Sequence, residues 1–137
     1  MAAKKPCTLL ALLLADTVLQ EPETKKASVV GLFTSIVASR FPTNYPKFSI
    51  FALLEGLKPG QHRATVHIYP SKGAKRNTPK LEAFVNAEPG KLAQLQFALA
   101  GLRFRKPGIH FVDLSVGGSF VGRRQLHAVL SPRLRQK

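Results

Sequence analysis

The chain has 137 residues, enough for one domain with a hydrophobic core that needs no disulfide or metal. Hydrophobic residues make up 45% of it, which excludes a chain disordered by composition. The single cysteine excludes an internal disulfide framework and a cysteine-based metal cluster. The formal net charge of +14 predicts an anionic partner, because charge of this size reports on binding rather than on fold.

Residues 7–15 form an apolar run between Pro6 and Asp16. The run follows two lysines, as the hydrophobic region of a signal peptide does, but it is far too short to span a bilayer. A buried strand explains it better, because Leu13 stands where signal-peptide cleavage after Ala15 would prefer a small residue. We therefore expect a strand here, and a cytoplasmic protein without a transmembrane helix.

The rest of the chain is a series of short apolar segments separated by turn-forming residues. Two prolines in residues 41–46 predict that no regular strand forms there. Residues 91–100 suit a helix by propensity, but their apolar side chains alternate, which favours a strand. With the first run, the predicted strands are residues 7–15, 27–38, 48–55, 61–69, 80–87, 91–100, 109–116 and 120–130.

Residues 61–69 show the clearest alternation, which places Val66 and Ile68 inward and Thr65 and Tyr69 in solvent. Gly117 and Gly118 separate the last two predicted strands, a pattern typical of a β-hairpin turn. Seven or eight short strands with frequent turns predict an all-β fold, an antiparallel immunoglobulin-like β-sandwich. We expect one such domain over residues 1–130, followed by a basic C-terminal tail at residues 131–137.

Several short motifs carry a resemblance that covers roughly residues 7–130. They are LLLAD at 12–16, VGLF at 30–33, FP at 41–42, PKF at 46–48, GQH at 60–62 and FRKPG at 104–108. In this order they resemble a family of small, uncharacterised bacterial β-sandwich proteins, a domain of unknown function. The resemblance implies an immunoglobulin-like sandwich and transfers no activity and no catalytic residues. The loops of this chain are basic where those of typical members are acidic or neutral.

The histidines and carboxylates predict neither a metal site nor catalysis. His62 and His67 are five residues apart on one strand, so their side chains leave opposite faces. His110 and His127 lie on the two arms of the last hairpin, where they could approach each other, but Asp113 points away from His110. No nucleophile motif, paired carboxylates or phosphate-binding glycine loop is present. We expect a protein that is not an enzyme and holds no cofactor.

The basic residues are concentrated in the second half of the chain. Residues 71–137 carry 13 Lys and Arg against 3 Asp and Glu, whereas residues 1–70 carry 8 against 4. Most lie in turn-rich segments, where a scaffold displays binding groups. We expect them to bind the phosphates of a polyanion, RNA or a ribonucleoprotein particle, without reading its sequence. The predicted nucleic-acid-binding residues are Lys72, Lys75, Arg76, Lys80, Arg103, Arg105, Lys106, Arg123, Arg124, Arg133, Arg135 and Lys137.

Two alternatives to polyanion binding stay open at this point. The basic charge could serve solubility alone, or reflect a host with a basic proteome. The protein could also be a structural subunit that assembles with itself or with other proteins through sheet edges or faces. Residues 48–54 are apolar on both sides of a strand, and Ile109 and Phe111 point outward, so either could supply such a surface. No membrane partner is expected.

Overall fold

The computed structural model describes residues 5–73 and 78–131. Over these ranges the regular structure is entirely strand, which confirms the all-β prediction. No helix in them is long and apolar enough to cross a membrane. The eleven strands are β1 (Thr8–Gln20), β2 (Ala27–Leu32), β3 (Ser35–Ala38), β4 (Thr43–Tyr45), β5 (Phe48–Glu55), β6 (Gly60–Pro70), β7 (Lys80–Ala87), β8 (Ala93–Leu99), β9 (Leu102–Phe104), β10 (Gly108–Val116) and β11 (Ser119–Leu130).

Two large sheets form the sandwich. One has four strands in the order β2-β1-β5-β8, and the other has five in the order β3-β11-β10-β6-β7. Every pairing is antiparallel except that of β3 with β11, which is parallel. A small third sheet pairs β4 with β9. The inward side chains of all three sheets share one hydrophobic core, whose largest fully buried members include Phe48, Phe104, Leu14, Ile50, Leu114 and Leu126.

Strand β6 follows the predicted alternation with one exception. Ala64, Val66 and Ile68 face the core and are buried, as expected for one side of a strand. Tyr69, which we predicted to lie in solvent, is only 5% exposed. Its ring is covered on the outer face by Phe111 of β10, with ring centroids 5.7 Å apart, and by His67, at 4.6 Å. An outward position therefore does not guarantee exposure when its neighbours are aromatic.

Two other local predictions are confirmed. Gly117 and Gly118 join β10 to β11 with φ angles of +59° and +83°, the conformation that a tight hairpin turn demands and that glycine adopts without strain. The ambiguous segment 91–100 contains strand β8, whose Ala93, Leu95 and Phe97 are buried in the core. Alternation was thus a better guide there than helix propensity.

The strand predictions were wrong in three places. Residues 27–38 form two strands rather than one: β2 pairs with β1 in the four-stranded sheet, and β3 pairs with β11 in the five-stranded sheet. Both halves of this segment are apolar, so the hydrophobic pattern of the sequence does not show where the chain passes from one sheet to the other. Residues 41–46 do contain a strand, because β4 is short enough to fit between Pro42 and Pro46. Strand β9 (Leu102–Phe104) was not predicted either, and these three additional short strands are why the described chain has eleven strands instead of seven or eight.

The first apolar run forms the start of β1, and this strand continues five residues beyond Ala15 to Gln20. The next apolar strand, β5, lies between β1 and β8, and its consecutive residues Ile50, Phe51 and Ala52 are all buried. Its pattern of apolar residues on both sides is explained by this internal position. Residues 132–137 lie outside the described ranges, so the separation of a basic tail from the domain stays a prediction.

Candidate anion-binding cleft

A cleft of about 720 Å³ opens where the segment after β6 meets the segment between β9 and β10. The two segments are held together by the backbone, because the Ser71 amide donates a hydrogen bond to the Ile109 carbonyl at 2.9 Å. Residue Pro70 at the end of β6 also lies opposite His110 in the β6–β10 ladder. The cleft is lined by Ile68, Tyr69, Pro70, Ser71, Lys72, Gly73, Thr78, Pro79, Leu102, Arg103, Phe104, Arg105, Lys106, Pro107, Gly108, Ile109, His110 and His127.

Among the described residues that line the cleft, four are basic and none is acidic. Lys72 comes from the segment after β6, and Arg103, Arg105 and Lys106 come from β9 and the turn that follows it. All four are exposed, and among the described residues none of them forms an ion pair. Positive groups that converge without a carboxylate nearby create a local field that attracts an anion.

Local structure explains why the arginines of this cleft point outward. Leu102 and Phe104 are buried in the core, so Arg103 between them must project from the other side of β9. Arg105 and Lys106 follow directly in the turn before β10. That turn ends at Gly108, whose φ of +129° is a conformation that other residues rarely adopt.

The wall behind these charges is apolar and includes one buried histidine. His110 packs edge-on against Phe104, with ring centroids 5.0 Å apart. Its Nδ1 lies 3.2 Å from the Gly108 carbonyl oxygen, which can only accept, so Nδ1 carries the proton. Burial lowers the pKa of His110, and the bond to Gly108 offsets this only in part. His110 is therefore neutral at pH 7, and the charge of the cleft comes from its two lysines and two arginines.

The aromatic residues of the cleft offer little surface for base stacking. Tyr69 and Phe104 both line it, yet both are buried, and Phe104 is only 2% exposed. Stacking of a nucleobase needs an accessible ring face, as in the usual single-strand binding platforms. The cleft therefore presents charge to a ligand more than it presents aromatic surface.

Arg123, also predicted as a phosphate contact, lies on the outer face of the five-stranded sheet. Its guanidinium forms hydrogen bonds and a ring contact with other residues of the chain. Its Nε donates to Asp113 Oδ1 at 2.7 Å, and its Nη2 donates to Asp113 Oδ2 at 3.2 Å. The Tyr69 hydroxyl donates to the same Oδ2 at 2.6 Å. The guanidinium also lies 4.1 Å from the centre of the Phe111 ring. Its charge is thus neutralised by a bidentate partner and covered on one side by an aromatic ring.

The carboxylate of this cluster is held in its charged form. Burial by itself raises the pKa of Asp113, but the hydrogen bonds from Arg123 and Tyr69 outweigh that effect, so its pKa lies below the ordinary value. The hydrogen bond to Asp113, together with burial, raises the pKa of Tyr69 in turn. Arg123, Asp113 and Tyr69 form a closed polar network in which each charge has a partner.

The other predicted residues fall into three groups. Lys80 is the first residue of β7, next to the cleft residue Pro79 and opposite His67 in the ladder. Arg124 bridges the two large sheets, because its Nε donates to the Leu12 carbonyl of β1 at 2.9 Å. The remaining predicted residues lie outside the described residues: Lys75, Arg76, Arg133, Arg135 and Lys137.

The structure does not bring the histidines together. In the ladder, His127 lies opposite Ile109 and His110 lies opposite Leu126, so the two histidines point to different faces of the hairpin. Within residues 5–73 and 78–131, no three His, Cys, Asp or Glu side chains are close enough to hold a metal ion. His127, which sequence reasoning considered only as a metal ligand, lines the cleft instead. No local signal in the sequence could have placed it there.

Comparison with known proteins gives a family but no function. No curated protein matches the chain. A solved structure of the alkylpurine DNA glycosylase AlkC from Pseudomonas fluorescens, bound to DNA containing an abasic site analog, is similar at 13% identity with a TM-score of 0.50. The match covers 91% of this chain and 31% of that one. A β-glucosidase from Listeria innocua in complex with isofagomine has 9% identity and a TM-score of 0.49, over 95% of this chain and 18% of that one.

The glycosylase match bears on the fold alone, because its identity is low, and the chain spans less than a third of either protein's length. A family model matches residues 10–129, nearly the whole of the sandwich. The match confirms the resemblance to an uncharacterised family, while a bacterial origin stays a prediction. The chain therefore belongs to the Family of unknown function (DUF6941).

Proposed function

We propose that this protein is a non-enzymatic RNA-binding protein that holds the phosphate backbone of RNA, free or within a ribonucleoprotein particle, in the basic cleft. The observation that carries the proposal is the convergence of Lys72, Arg103, Arg105 and Lys106 on a cleft whose described lining residues include no carboxylate. The proposal includes a cytoplasmic location, where such a partner is accessible.

The kinds of basic side chain at the cleft suit phosphate. Arginine presents a planar fork of N–H donors that matches two phosphate oxygens, and lysine adds a compact point charge. Because the described part of the chain supplies these side chains with no ion-pair partner, binding a phosphate does not require breaking an existing salt bridge. Each phosphate that is bound also releases condensed counterions from the nucleic acid, which favours association at low salt.

Contacts of this type position a nucleic acid without reading its sequence. The burial of Tyr69 and Phe104 supports the same conclusion, because neither ring offers a free face for a base. We therefore expect affinity to depend on salt and on strand length, and to be nearly the same for RNAs of different composition.

A salt titration of the wild-type protein tests the proposal. Binding to single-stranded poly(U) and poly(A) of equal length would be measured by fluorescence anisotropy between about 50 and 300 mM salt, the range over which phosphate contacts weaken steeply. Four contacts at roughly −0.7 each predict a log–log slope of about −3, equal for the two polymers. Absence of binding at the lowest salt would overturn the proposal, and so would a slope near zero.

A further inference from the structure

Among the described residues that line the basic cleft, four carry an aromatic ring, and one of these rings is exposed. Tyr69, Phe104 and His110 are buried, and each of them contacts another ring. His127 is exposed, and within residues 5–73 and 78–131 its imidazole forms no hydrogen bond, ion pair or ring contact. Of the described rings in this cleft, His127 alone therefore offers a face that a ligand can reach.

Strand pairing explains why the ring of His127 stays uncovered. His127 lies on the outer face of the five-stranded sheet, between Ile109 of β10 and Ser35 of β3. Directly paired residues lie side by side on one face, so the neighbours of His127 are one apolar side chain and one that is too small to cover a ring. Further along the same face, Tyr69 and Phe111 cover each other instead, with ring centroids 5.7 Å apart.

The position of His127 beside the cations of the cleft indicates which ligand reaches it. His127 and Ile109 line the same cleft as the two lysines and two arginines. An anion that those residues bind therefore brings the groups attached to it close to the imidazole. In RNA the attached groups are ribose and base, and a base has two flat faces of low polarity. Imidazole is one of the rings on which proteins stack the unstacked bases of RNA.

We propose that His127 stacks on one unpaired base of the RNA strand whose phosphates occupy the cleft. This inference rests on the proposed function and narrows its ligand to single-stranded RNA, because the bases of a duplex are already stacked on one another. Ile109, the cross-strand neighbour of His127, supplies an apolar contact for the same base. Every base has a π-face, so the stacking adds affinity without reading the sequence.

Two variants of His127 separate stacking from a hydrogen bond between the imidazole and a phosphate. His127→Gln keeps a hydrogen-bonding side chain and removes the ring, whereas His127→Phe keeps a ring and removes the hydrogen bonds. With oligo(U) at about 100 mM salt, we expect His127→Gln to bind at least about fivefold more weakly than the wild type, and His127→Phe to bind within about twofold of it. His62→Gln makes the same replacement at a histidine outside the cleft lining and should bind like the wild type.

Inorganic polyphosphate and duplex RNA serve as ligands that present phosphates to the cleft without an unpaired base. Binding of each should differ by less than about twofold between the wild type and His127→Gln. The log–log salt slope for oligo(U) should also be the same in both proteins, because His127→Gln removes no phosphate contact. The melting temperatures should be equal, since the side chain at this position is exposed.

These measurements distinguish failure of the stacking proposal from failure of the proposed function. A wild type that binds none of the three ligands would overturn both. If the wild type binds oligo(U) and polyphosphate, the proposed function stands, and stacking is overturned by any of three results. These are normal oligo(U) binding by His127→Gln, an equal loss of oligo(U) and polyphosphate binding in that variant, or a His127→Phe variant that binds oligo(U) as weakly as His127→Gln.

Discussion

Two regions of this molecule contain arginine, but they handle its charge in opposite ways. In the cleft, Arg103 and Arg105 project from β9 and the turn after it, and no acidic residue lines the cleft within the described part of the chain. On the outer face of the five-stranded sheet, Arg123 is neutralised by Asp113 and stacked on Phe111. The difference shows that basic residues clustered in a sequence are only candidates for binding an anion, because the fold decides which of their charges lack a partner within the protein.

The largest expected effect concerns β6, the strand that contributes Tyr69 to both regions. Val66→Lys should unfold the domain, because an unpaired buried charge costs several kcal/mol, comparable to the whole stability of a small domain. Thr65→Lys, one residue away on the outer face and opposite Glu82, should leave the melting temperature nearly unchanged. Thermal unfolding followed by circular dichroism checks the pair, and equal damage from both would contradict the assigned faces.

The next prediction compares the replacement of an arginine in the cleft with the replacement of the ion-paired arginine on the outer face of the sheet. Arg103→Ser should make the log–log salt slope of RNA binding shallower by about 0.7 without changing the melting temperature. Arg123→Ser should do the reverse: the melting temperature falls by a few degrees, because Asp113 loses its bidentate partner, and the slope stays the same. Anisotropy and thermal unfolding of both variants decide this. A shallower slope in Arg123→Ser would mean that the two regions do not differ in function.

A smaller effect is a pH dependence that comes from the buried His110. Burial lowers its pKa in the folded state, so the unfolded chain binds the proton more readily, and stability is fully present only above the ordinary pKa of about 6.5. The free energy of unfolding should therefore decrease as the pH falls from 7 toward 5.5, by at most about 1.4 kcal/mol per pH unit from this group. Denaturant unfolding of the wild type and of His110→Phe measures the difference, and parallel curves would contradict it.

Much of the fold could be predicted from the sequence because the signals are local. Alternation in residues 61–69 and the Gly117-Gly118 turn describe β6 and the last hairpin correctly. The switch of residues 27–38 between sheets could not be predicted, because both strands are equally apolar and only distant partners distinguish them. The cleft could not be predicted for the same reason, because strand pairing between distant parts of the sequence brings Lys72 and Arg103 to one site.

The ion pair of Arg123 with Asp113 depends on a one-residue shift in strand register, which makes it difficult to predict from the sequence. A two-residue turn at Gly117-Gly118 pairs Val116 with Ser119, and unbroken pairing from there would place Gly122 opposite Asp113. A bulge between Leu114 and Ser115 of the ladder shifts the register by one, so Arg123 lies opposite Asp113 instead. Gly122, an isolated glycine inside the strand, is a sequence signal for this bulge, and without the bulge the salt bridge would not form.

The central claim is that the cations of the cleft, and not the net charge of the chain, bind RNA. The direct test compares two quadruple serine variants with the same loss of charge, measured against single-stranded RNA at about 50 mM salt, where phosphate contacts are strong. One removes Lys72, Arg103, Arg105 and Lys106, and the other removes the exposed residues Lys26, Arg40, Lys58 and Arg63, which do not line the cleft. The account predicts that the first variant loses most of its affinity and two to three units of salt slope, at roughly 0.7 per contact, while the second stays close to the wild type. Equal losses in both variants would contradict it.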